Sequence, residues 1–180
     1  MTHISMYTAL ALVLHAVESL IPVPFMIPGA KLGIANIVTL VAIVLSGPVD
    51  AFVVVVLRTF LASLLSGALT SFAFSVVGGA LATAVMSLAY RRLGSVFGLV
   101  GVSVLGAISH NVGQLFVAGM VVGTMGIYGY LPVLLVAGVA TGYFVGIAAG
   151  FVLSFLAKAV AFPSARQQRE TRGKQVARTL

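Results

Sequence analysis

Stretches of about twenty nearly uncharged residues recur along this 180-residue chain, broken only by proline, glycine and a few basic residues. That is the length an α-helix needs to cross a bilayer. A transmembrane β-strand needs only about 10 residues and alternates apolar with polar, a pattern absent here. With 61% hydrophobic and 7% charged residues and a mean hydropathy of +1.19, the composition lies far from a soluble domain's roughly 25% charged. The sequence predicts an all-α, polytopic membrane protein. One transmembrane domain covers residues 1–160, and residues 161–180 read as a basic, disordered tail.

The punctuation divides the domain into six spans. The first runs from about Ile4 to Ile21 and stops at Pro22, Pro24 and Pro28; the second, short, runs from about Lys31 to Leu45. The third runs from about Asp50 to Leu65 and the fourth from about Leu69 to Ala89, ending at Arg91-Arg92. The fifth covers about Val96 to Val121, then the turn GTMGIYGY, and the sixth about Leu131 to Ala157. The first stretch has no basic n-region and no small-residue cleavage site, so it reads as a retained helix and not a signal peptide.

Charge sets the orientation. Six of the ten basic residues, from Lys158 to Arg178, lie in the last 23 positions against a single Glu170. Such a tail belongs on the anionic cytoplasmic leaflet, and the same six-span threading brings Arg91-Arg92 to that side. Both termini are therefore expected in the cytoplasm of a cell whose plasma membrane holds the chain. The loop PVPFMIPGA and the turn GTMGIYGY then face outside. Nucleic-acid binding, the other reading of a basic tail, has no aromatic interleaving or folded motif behind it.

Polar residues inside the spans bear on function. A charge at the bilayer centre costs roughly 2.5–3.5 kcal/mol on insertion scales, so a chain this poor in charge keeps one there for a reason. Glu18, Lys31, Asn36, Arg58, His110, Asn111 and Gln114 come from four spans and form the candidate substrate-binding set. His110, Asn111 and Gln114 share one broad helical face by their three- and four-residue spacing. Beneath the proline-stiffened loop, with Ser63, Ser66, Ser71 and Ser75 as neutral donors, they suit a net-basic pocket for a small polar or anionic solute. The plainer readings remain: Arg58 pairing with Glu18 to hold the bundle, Lys31 snorkelling to the interface, and Asn111 and Gln114 gluing helices together. The four-residue ladder Gly138, Gly142, Gly146 and Gly150 allows close helix approach, inside the bundle or against a partner.

Catalytic motifs are missing. There is no aspartate-rich cluster, P-loop, HExxH or GxSxG, and no cysteine. Of the three acidic residues, Asp50 reads as a helix N-cap and Glu170 lies in the tail, too few for metal-dependent diphosphate chemistry. No metal site and no cofactor is expected.

The segments IPGAKLGIANIVTLVAIVLSGP, LRTFLASLLSGALTSFAFSVVGGALATAVM and GVSVLGAISHNVGQLFVAG, above all KLGxAN and HNxGQ, resemble the Gx transporter family, also labelled heptaprenyl diphosphate synthase component I. The resemblance covers about residues 5–157. That family is similar in size and span number to the substrate-binding S components of energy-coupling factor (ECF) transporters of bacterial inner membranes. The resemblance implies an S-component-like six-helix bundle working with a transmembrane coupling subunit and ATPases. The family's second label implies instead an accessory role beside a prenyl synthase subunit in menaquinone synthesis.

Overall fold

A computed structural model of the chain describes residues 2–20, 33–67 and 69–176, with side chains for all of these except 69–71, 95 and 160–176. All regular structure among the described residues is helical. Helix α1 is Thr2–Leu20, α2 is Ala35–Leu45, α3 is Pro48–Ser66, α4 is Leu69–Val122 and α5 is Leu131–Val176. A short 3₁₀ turn, Met125–Tyr130, joins the last two, and the Thr124 hydroxyl accepts from the Gly126 N–H at its start. Five stretches are long and apolar enough to cross a membrane: Thr2–Leu20, Pro48–Ser66, Phe72–Gly94, Val96–Val122 and Met125–Ala159.

The second expected span needs correction. Its helix is only 11 residues, about 16 Å at 1.5 Å per residue, roughly half the hydrocarbon thickness. Its placement explains how so short a helix is tolerated. The Gly33 N–H meets Glu18 near the end of α1, and the Ser46 hydroxyl meets the Tyr7 hydroxyl near its start. α2 therefore runs antiparallel to α1, and it also packs against α3, α4 and α5. Eight of its residues are buried, from Ala35 and Asn36 to Ile43. A helix apolar on every side belongs in the centre of a bundle.

Arg91-Arg92, expected as a loop, lies within helix. Arginine is a good helix former and both side chains are exposed, so nothing there ends α4. The break comes later, at Gly98, with φ 59° and ψ −172°. That positive φ is open to glycine and strained for other residues. Beyond it the chain doubles back, bringing Gly113 beside Gly78 and Gly106 beside Met86. Asp50 is likewise not the N-cap of α3. Gly47 caps it, Pro48 opens it and Asp50 sits in the first turn, where a carboxylate suits the helix dipole. α5 continues helical to Val176, through much of the segment expected as a disordered tail.

The sorting of side chains suits a lipid surround. Phe52, Phe60, Phe116, Phe144, Phe151 and Phe155 lie exposed, while Glu18, Asn36, Arg58, Asn111 and Gln114 are buried. A protein in water sorts these residues the other way. This is a multi-pass membrane protein.

Candidate substrate-binding cavity

The opening of α2 organises the site. Gly33 adopts φ 73°, and its N–H donates to Glu18 Oε1 at 2.6 Å. Its carbonyl accepts from the Asn36 N–H at 2.8 Å, and the Ile34 carbonyl accepts from Ile37 at 3.1 Å. Glu18 thus ties α1 to the amino end of α2, where a carboxylate is favoured by the partial positive charge of the helix.

Arg58 approaches from α3. Its Nη2 donates to Asn36 Oδ1 at 3.5 Å, and Nε has no hydrogen-bond partner among the described residues. Only 5% of the residue is exposed. Glu18 acts on the guanidinium through space. Its neighbour Thr59 turns its hydroxyl back to the Val55 carbonyl at 2.8 Å.

Between these side chains lies a cavity of about 30 Å³, lined also by His15, Ala62, Ser75 and His110. That is room for about two waters. A second space of about 10 Å³ adjoins it, sharing Gly33, Asn36 and His110 and continuing to Ser103, Asn111 and Thr141. Arg58 is ten residues from Pro48, where α3 begins, or about 15 Å along the helix. The cavity therefore lies near mid-depth of a hydrocarbon core about 30 Å thick.

Of the seven candidate residues, Glu18, Asn36, Arg58 and His110 line the larger cavity. Asn111 borders the smaller one, and its Nδ2 donates to the Leu134 carbonyl of α5 at 2.8 Å, a helix-to-helix bond. Gln114 is buried against Gly78 and lines neither space. Lys31, like the loop PVPFMIPGA, falls outside the described residues. Four residues of the larger cavity, His15, Gly33, Thr59 and Ala62, escaped the sequence reading. His15 precedes Glu18 by three positions, a same-face spacing that was there to be read. Gly33 sits inside the KLGxAN segment, but only its backbone conformation gives it a role. Among the described residues no three His, Cys, Asp or Glu side chains gather as a metal ion would require.

The family model described as heptaprenyl diphosphate synthase component I matches residues 7–152. That region contains every one of these cavity residues. No curated protein and no solved structure matches the chain.

Proposed function

This chain belongs to the heptaprenyl diphosphate synthase component I family, and from that premise we propose that it is a membrane substrate-binding subunit, S-component-like, that captures a small polar or anionic solute from the outer side. The observation that carries this reading is the convergence of Glu18, Asn36, Arg58 and His110, from four helices, on one small, partly open space. Intramembrane ionisable groups of this kind mark solute or ion pathways. The concentration of Lys and Arg at 158–178 and at Arg91-Arg92 supports a cytoplasmic side for both termini and for the turn of the α4 hairpin. The sequence holds no nucleotide-binding motif, so energy comes from a coupling subunit with ATPases or from the solute gradient itself.

The test is a thermal-shift screen of purified protein against polar and anionic solutes, paired with cellular uptake of any hit. A ligand that raises Tm is expected, and Arg58→Leu is expected to abolish its uptake. Unchanged uptake in that variant, with no shift across the screen, would sink the proposal.

The family's description is the ground for a second reading, an accessory subunit of polyprenyl diphosphate synthesis. It is consistent with the scarcity of carboxylates, which leaves the magnesium chemistry to a partner. Its signature is co-purification with a prenyl synthase and an altered quinone tail length on deletion, with solute uptake untouched.

A further inference from the structure

We infer that the part of the solute seated in this cavity is a compact oxyanion, a carboxylate or a phosphoryl group, gripped by the Arg58 guanidinium beside the amino end of α2. The inference rests on the solute-capture reading and narrows its chemistry.

Arg58 brings more donors to the site than the Asn36 acceptor can match. A guanidinium carries five N–H donors and no acceptor. Arg58 is 95% buried, yet its hydrogen-bond partner is a neutral amide oxygen at 3.5 Å and its Nε is unmatched among the described residues. A buried cation left this way is costly unless something accepts from it. Glu18 is the one carboxylate among the residues lining the cavity; its Oε1 accepts from the Gly33 N–H at 2.6 Å, and it acts on Arg58 through space rather than by a hydrogen bond. The amino end of α2 adds partial positive charge on the same side.

Size and shape narrow the ligand further. The roughly 30 Å³ beside Arg58 suits the oxygens of one acidic group. The flat fork of arginine binds such oxygens two at a time, which a lysine cannot do. A metal cation is disfavoured by the positive charge of Arg58 itself.

The experiment uses the full chain in nanodiscs, with Tm followed at constant ionic strength during titration with acetate, inorganic phosphate or glycerol. Acetate or phosphate should raise Tm saturably by about 3 °C, and glycerol should not. Acetate alone identifies a carboxylate, and phosphate alone a phosphoryl group. Arg58→Gln should lose the response and Arg58→Lys should keep only part of it. Protein labelled with ¹⁵N-arginine gives a readout that needs no variant. The Arg58 Nε–H resonance should move with the effective anion and stay put with glycerol. A response to neutral solutes but not to anions overturns the oxyanion inference and leaves solute capture standing. An unmoved Nε–H resonance, or a full response in Arg58→Gln, overturns it as well. No response to acetate or phosphate also overturns the oxyanion inference, while solute capture stands or falls on the broader screen and the uptake assay.

Discussion

At the scale of the residue, Arg58 is a buried cation on which the Glu18 carboxylate acts through space. Removing one of two buried opposite charges costs up to about 3–5 kcal/mol, because the other is left uncompensated, and Glu18 is buried close enough to act on Arg58. Arg58→Met is therefore expected to lower Tm while removing any ligand response, both read from one thermal-shift series. Asn111 behaves differently. Its bond to the Leu134 carbonyl joins two helices, and such intramembrane bonds average about 0.6 kcal/mol, rarely above about 2. Asn111→Ala should lower stability by that amount and leave the affinity for a bound solute within about twofold. Glu18 and Arg58 could be picked out from the sequence because a charge in an apolar run is anomalous on its face. His15 was legible only through its three-residue spacing from Glu18, and Gly33 was not legible, because its role is a backbone N–H and a positive φ, which leave no mark on residue type.

At the scale of the element, the glycine ladder of α5 shows how a spacing becomes a contact. A Cβ on Gly142 would lie 2.6 Å from the Val104 Cα, and one on Gly146 would lie 2.6 Å from the Val100 Cα. Both clashes are with backbone, which cannot rotate away. The same Cβ on Gly150 would meet nothing within 4 Å. Gly142→Ala is thus expected to destabilise the protein by about 1–3 kcal/mol as α5 is forced off α4. Gly150→Ala should be neutral or slightly stabilising, since alanine is the better helix former by about 1 kcal/mol. Thermal denaturation of the pair in one detergent checks both. The four-residue period was plain in the sequence, but whether the ladder served the bundle or a partner was not. Periodicity names a face and leaves its neighbour open. Helix ends were harder still: Arg91-Arg92 looked like a boundary by charge, whereas the break follows from the conformational freedom of Gly98 seven residues after Arg91.

At the scale of the whole molecule, the distribution of basic residues makes a prediction about sidedness. The chain has no cysteine, so single cysteines report position without a background to remove. Met125→Cys, in an exposed turn, should react with an impermeant thiol reagent on intact cells. Arg92→Cys should react only after permeabilisation. The reverse pattern would invert the proposed orientation and put the solute's entry on the cytoplasmic side. Membrane residence was legible from composition, and the central position of α2 was not, because an apolar run reads alike whether lipid or protein surrounds it. That position has a consequence for biogenesis. α2 is too short to be stable as a span by itself, and its walls include α5, which is made well after it. A nascent chain that stops before residue 131 has made every residue lining the larger candidate cavity but still lacks one wall of α2, so α2 is expected to settle in the bundle only after α5 has been made.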